Sequence, residues 1–225
     1  MMKKHMTQRN HLSHLLTLWL LLSAFAPVSQ ILAEEEPLFV TIRLPYGISL
    51  EVPRSWRIVA GDAKEALEAG AARDIDLSHM PLPDTNVLLR ANATPADRPA
   101  WISVAFLPKA LLTQKQAAEL SSSGLKDYDR ALHQKVENFL RGQGLALLEW
   151  RETRKDFLND QVTLVAEYRR RGQDNLTVWE QINTIPLRAG MVTLTVSYNE
   201  KAGPPWRAVV MHIRSSCRVG TESSP

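Results

Sequence analysis

The densest run of chemically competent side chains in this sequence is Asp74-Ile75-Asp76-Leu77-Ser78-His79. It holds carboxylates, a hydroxyl and an imidazole, the parts of a hydrolase or of a metal site. Members of a catalytic triad converge in space from separate segments rather than along one short run. A metal ligand needs further groups behind it to hold its orientation. The run therefore reads as a solvated loop. A hydrolase or metalloenzyme, the third functional reading, would be centred on Asp76 and His79, with Asp74 as the alternative carboxylate. His133 sits beside Gln134 in an expected helix, and His212 one position before the apolar Ile213. Both read as surface or structural residues. No Gly-x-Ser-x-Gly, His-Glu-x-x-His, phosphate loop or dinucleotide fingerprint occurs. The expectation is no catalytic residue, no metal, no cofactor and no enzyme activity.

Other residues bear on binding rather than reaction. Trp56, Trp101, Trp150, Trp179 and Trp206 would line a pocket, anchor a partner or fill a core. Trp206 opens an apolar helix face and reads as core. Trp179 alternates with Thr177 and Gln181 and reads as the better candidate for a contact surface. Arg169-Arg170-Arg171 ends an expected strand next to Gly172 and reads as a solvated turn. Cys217 is the single cysteine. It excludes an internal disulfide and a thiolate metal cage. Its spacing from Trp206, Val210 and Ile213 continues an apolar stripe, so it is expected to be buried.

These residues follow an N-terminus of a different character. Lys3, Lys4 and Arg9 form a basic start, no acid precedes Glu34, and an apolar stretch runs from about Leu15 to Ala26. That stretch is shorter than the roughly 20 residues a membrane-spanning helix needs. It suits the apolar region of a secretory signal peptide, residues 1–33, cut after Ala33. Ala24-Phe25-Ala26 offers a second site, disfavoured by Pro27 after it. Uncut, the segment would be a membrane anchor, and membrane contact is expected only in that case. No cysteine follows the apolar stretch, so a lipid anchor is not expected. The full sequence carries 27 basic and 24 acidic residues, and without the segment 24 of each remain. That balance argues against a nucleic-acid partner, which needs a clear basic excess. Few cysteines and an export signal together point to a periplasm. Asn92 and Asn175 head Asn-x-Thr triplets that read as incidental.

Residues 34–225 are expected to form a single α+β domain. After the acidic leader Glu34-Glu35-Glu36, Val40, Ile42 and Leu44 alternate with polar residues, as do Ile48, Leu50 and Val52 beyond Pro45-Tyr46-Gly47. That pattern is a β-hairpin. Asp62 would cap a short helix over residues 63–72. Residues 73–98 read as a loop region around a short strand at 87–89. Residues 101–108 form a strand with Ile102, Val104 and Phe106 on one face. Helices follow over about 109–120 and up to 141, separated at Ser121-Ser122-Ser123-Gly124. The second has Leu125, Tyr128, Leu132, Val136 and Phe139 on its apolar face. The last third reads as a meander with strands at 146–151, 161–170, 176–185 and 191–198. A terminal helix then carries Trp206, Val209, Val210, Ile213 and Cys217. Short connections favour an antiparallel sheet packed with helices, an α/β/α sandwich, over a parallel sheet.

Gly47–Ile58 (GISLEVPRSWRI), the meander Val162–Tyr198 and the terminal helix with Trp206 and Ile213 resemble the PsbP-like group, which includes DcrB-like envelope proteins. DcrB-like members usually carry a lipid-anchor cysteine, absent here. The resemblance implies a protein-interaction or assembly function rather than catalysis. The partner expected is another envelope protein. The alternative is a module that binds a small apolar ligand or lipid. Export itself has a direct test. N-terminal sequencing of protein from the envelope fraction should start near Glu34. An intact Met1 on a soluble cytosolic protein would refute it.

Overall fold

The computed structural model describes residues 39–60, 67–68, 74–80, 86–94, 100–109, 111–172 and 175–220. The segment expected to direct export, residues 1–33, and its expected cleavage site lie outside the described residues. Strands β1 (Phe39–Leu44) and β2 (Ile48–Pro53) pair antiparallel, with Val40 opposite Val52 and Ile42 opposite Leu50. A 3-10 turn at Pro45–Gly47 joins them, and Tyr46 and Gly47 both take positive φ, 64° and 65°. The Tyr46 ring stacks on Phe106, 3.8 Å between centroids. A second turn, closed by Trp56 N–H donating to the Pro53 carbonyl at 3.0 Å, leads into β3 (Arg57–Ala60), which belongs to another sheet.

The middle of the chain departs from the sequence reading in two places. Within the helix expected over 63–72, Leu67–Glu68 form a short strand, β4, antiparallel to β3. The rest of that segment lies outside the described residues. Helix propensity is a weak prior, and pairing at a sheet edge supplies the same backbone partners. The expected loop region contains two strands. One is β5 (Asp74–Asp76), parallel to β1 with Ile75 opposite Ile42. The other is β6 (Val87–Asn92), longer than expected and paired to β7 (Ala100–Leu107).

The helices start where their caps dictate. Helix α1 (Gln114–Glu119) begins after Thr113, not at Lys109. Gln116 N–H donates to the Thr113 hydroxyl at 3.2 Å, and Thr113 N–H donates to Gln116 Oε1 at 2.8 Å. This reciprocal cap satisfies donors that the helix leaves open. Helix α2 (Ser122–Gly142) is capped by Ser121, whose hydroxyl accepts from Gly124 N–H at 3.1 Å. The two helices are separated at Leu120 and Ser121 as expected, and the rest of the run, Ser122–Gly124, forms the first turn of α2. Strands β8 (Ala146–Leu158), β9 (Gln161–Arg171), β10 (Thr177–Pro186) and β11 (Met191–Asn199) form the meander. β8 runs past its expected end at Arg151 to a tight turn where Asn159 and Asp160 both take positive φ. At the next hairpin, Gly190 approaches β7 so closely that a Cβ would stand 2.2 Å from the Leu107 carbonyl oxygen. Helix α3 (Pro204–Ser216) and the short β12 (Arg218–Val219) complete the order.

The fold is α+β. One sheet has the order β4-β3-β6-β7-β11-β10-β9-β8, with every neighbouring pair antiparallel. The other has the order β12-β2-β1-β5. Helix α3 and the small sheet cover one face of the large sheet. The main core lies there, with Ile42, Leu50, Ile102, Val104, Leu194 and Ile213 among its buried members. Helix α2 packs over the opposite face, against a smaller cluster of Val136, Leu140 and Tyr168. Cys217 is fully buried beneath the end of α3, and burial pushes its thiol pKa up to about 12, with Arg214 opposing.

Alternation along β11 decides what each side chain contributes. Val192, Leu194 and Val196 are fully buried in the main core, whereas Thr193 faces the other side and is partly exposed. Leu194→Ala should therefore lower unfolding stability by about 2–5 kcal/mol, with Thr193→Ala costing far less. Equal shifts in a denaturant titration would refute that assignment of faces.

Candidate functional site

Helix α2 is anchored over the β8 side of the large sheet. Asp129 accepts three hydrogen bonds there: from Trp150 Nε1 at 3.0 Å, Thr153 N–H at 2.7 Å and the Thr153 hydroxyl at 2.7 Å. His133 stacks on Trp150 with centroids 4.7 Å apart. The helix buries Val136 and Leu140, with Leu132 partly covered, and leaves Phe139 65% exposed. The face expected from the sequence included Phe139. Steps of four through Leu132, Val136 and Leu140 are the ones that meet the sheet, and Phe139 points away from that seam.

Because α2 sits to one side, the neighbouring strands keep an uncovered strip. The result is a groove of about 810 Å³. Its floor follows the ladder register. Arg90 lies opposite Ser103, Ser103 opposite Thr195, and Thr195 opposite Ile182. One step along, Asn92 lies opposite Trp101. In the other direction the floor ends in Leu107 opposite Met191, with Leu111 also lining the groove. The helix wall is Leu132, Lys135, Val136 and Phe139. Tyr128 reaches Thr184, and burial raises its pKa while that hydrogen bond opposes the rise. At the far side, Glu180 accepts from Tyr168 and forms an ion pair with Arg170 at 2.5 Å. Burial, then the Glu180 carboxylate, push the Tyr168 pKa up.

The residues singled out in the sequence lie elsewhere, with few exceptions. Asp74 pairs with Arg43 at 3.2 Å, both half-exposed. Asp76 accepts from Ser78 N–H at 2.9 Å, and hydrogen bonds from the Ser78 side chain and backbone lower its pKa. His79 is exposed. Among the described residues, no three His, Cys, Asp or Glu side chains stand together as a metal site would require. His212 bonds Glu51 at 2.7 Å and lies against Phe39. Trp206 and Trp56 pack on the main core. Two readings are corrected. Trp179 is not a contact surface: it is buried in the core with Tyr198, ring centroids 5.2 Å apart. β10 is covered on both faces, so its polar neighbours do not mark an exposed side. Arg169 and Arg170 are not a solvated turn. Arg169 pairs with Glu149 and Glu200, and Arg170 with Glu180, because neighbouring strands bring those carboxylates alongside. Of the tryptophans, Trp101 lines the groove. Arg90, Lys135 and the Ser103–Thr195 hydroxyls were not anticipated. The alternation of Thr193 and Thr195 signals a polar face, but nothing in the sequence says that a helix overhangs it.

No family model matches the chain, and no curated protein matches it significantly. Among solved structures, it is similar to cyanobacterial PsbP (CyanoP) from Synechocystis sp. PCC 6803. The two are 17% identical, 84% of this chain and 96% of that one are covered, and the TM-score is 0.50. The fold is PsbP-like. LpqN of Mycobacterium tuberculosis, described as involved in cell envelope biogenesis, is more distant. It is 11% identical over 76% of this chain and 81% of its own, with a TM-score of 0.39. The likeness read from the opening hairpin, the meander and the terminal helix holds at the level of the PsbP-like fold.

Within that PsbP-like fold, Asp129 ties α2, which forms one wall of the groove, to β8. Burial alone would raise its pKa, but hydrogen bonds from the Thr153 backbone and hydroxyl and from Trp150 outweigh it, and the net shift is downward. A lowered pKa stabilises the fold above the unfolded value near 3.8. That contribution is lost as pH falls through the folded value. Asp129→Ala should cost about 1–3 kcal/mol by leaving those donors unpaired. Asp129→Asn should flatten the loss of stability on acidification below about pH 4. Urea titrations at pH 7 and pH 3 check both, and an unchanged acid slope in Asp129→Asn would refute the role.

Proposed function

We propose that the chain is a non-enzymatic binding protein that works in the cell envelope after export, and that the groove beside α2 holds its ligand. The observation that carries this is the groove's make-up. An apolar helix wall faces a floor of hydroxyls, an amide and a guanidinium, with the one carboxylate among its described lining residues neutralised by Arg170. Binding sites combine apolar lining with a few placed polar groups in this way. The basic, acid-free N-terminal segment supports the location.

A second reading has an observation of its own. β8 is an edge strand of the large sheet and exposes Leu148 and Phe157. Edges offer unpaired backbone groups to another chain. The partner there would be another envelope protein. The register shifts on β8, between Leu147 and Glu149 and between Arg151 and Arg154, weigh against it, since bulges blunt edges.

The two readings separate by crosslinking in cells. Phe139 in the groove and Phe157 on the edge are 65% and 67% exposed, so they sample the surroundings equally. A photoreactive residue at 139 should capture a molecule reproducibly and one at 157 should not. Protein adducts at 157 alone would transfer the function to the β8 edge.

A further inference from the structure

The charges of the groove say more about what enters it. Arg90 and Lys135 both line it, and neither has an ion-pair partner among the described residues. Arg90 comes from the strand floor and Lys135 from the helix wall. The Glu180 carboxylate is already matched by Arg170. The groove is thus locally cationic in a chain whose mature charge is balanced. Its apolar part is displaced from Arg90. Leu107 and Met191 lie at the end of the floor, and Leu111 lines the groove with them.

We infer that the groove binds a single-chain amphiphile with a carboxylate head, a long-chain fatty acid in chemical class. This rests on the binding reading above. The head would sit between Arg90 and Lys135, with Ser103 and Thr195 beside it, and the chain would run toward Leu107 and Met191. A volume of about 810 Å³ lies in the range of small-molecule sites and suits a chain of this kind. A carboxylate fits better than a phosphate. Phosphate sites draw on free backbone N–H groups at helix starts or in nests. Here the floor is made of paired strands whose N–H groups serve the ladder. The Arg fork would serve either head in two parallel hydrogen bonds, so the lack of free backbone N–H groups on the floor is what favours the carboxylate.

The test is calorimetric titration of the exported protein with dodecanoate, dodecyl phosphate and uncharged dodecyl maltoside, each below its micelle concentration. Dodecanoate should bind most tightly. Arg90→Gln with Lys135→Gln, both at exposed positions, should weaken it about tenfold while leaving dodecyl maltoside unchanged. Raised salt should act in the same direction on the unaltered protein. Tighter binding of dodecyl phosphate would overturn the carboxylate assignment. Absence of dodecanoate binding, or equal affinity in the double variant, would overturn the inference as a whole. Its failure is distinguishable from that of the groove reading. A photoadduct at position 139 with some other molecule leaves the groove in place, whereas no adduct there removes it.

Discussion

The Arg214 side chain projects from α3 into a nearly closed space, and its hydrogen bonds to Asn183 and Asp156 leave the helix. Nε donates to Asn183 on β10 at 2.7 Å and Nη2 to Asp156 on β8 at 2.6 Å. Asn183 in turn donates to the Leu194 carbonyl of β11 at 3.2 Å. One guanidinium therefore ties the last helix to the meander. On the other side of the same helix, Glu51 N–H of β2 donates to the Ser216 hydroxyl at 2.9 Å. The two sheets are held at a fixed spacing by α3, and the main core fills what lies between. Removing a partner of the largely buried Arg214 leaves that guanidinium uncompensated, which costs more than the pair contributes. These contacts join residues far apart in sequence, Glu51 and Ser216 among them, so the core depends on long-range pairing of early and late segments.

The other face of the large sheet is organised on a weaker principle. Helix α2 presents a narrow apolar stripe, and Asp129 with the His133–Trp150 stack fixes it over β8. A stripe of that width cannot also cover β11, β7 and β6. On this side those strands accordingly carry Thr193, Thr195, Ser103, Asn92 and Arg90, side chains that tolerate water, beside Trp101, Leu107 and Met191. The groove follows from this mismatch between a wide sheet and one off-centre helix. The sheet's other face has no such gap, because α3 and the small sheet share its coverage.

Much of the PsbP-like scaffold is readable from period-two alternation. The hairpin, β7, the core face of β11 and the stripe ending at Cys217 each follow from local spacing. The misreadings cluster where local spacing stops deciding. Trp179 lies on a strand covered on both sides, where polar neighbours no longer signal water. Arg169 and Arg170 look solvated until the register sets Glu149 and Glu180 beside them. Leu67 and Glu68 take a strand pairing that helix propensity opposes. The sequence also hides that the opening hairpin leaves for a sheet of its own, since a turn after Pro53 is silent about which sheet receives the next strand. The groove was hidden for the same reason. Arg90 and Lys135 belong to different segments, and only the topology puts them across from one another.

What the groove's ionisable groups can do is limited by what they already bond. A general base must be free to take a proton from its substrate. Glu180 is committed to Tyr168 and Arg170 at once. Tyr168 has its pKa raised by burial and by that carboxylate, so it keeps its proton near neutral pH. Tyr128 is raised as well, and its hydroxyl is engaged by Thr184. Arg90 and Lys135 bring N–H donors to the groove. The groups left available are therefore donors, hydroxyls and apolar walls. Such a set suits the proposed binding of a molecule by charge and shape.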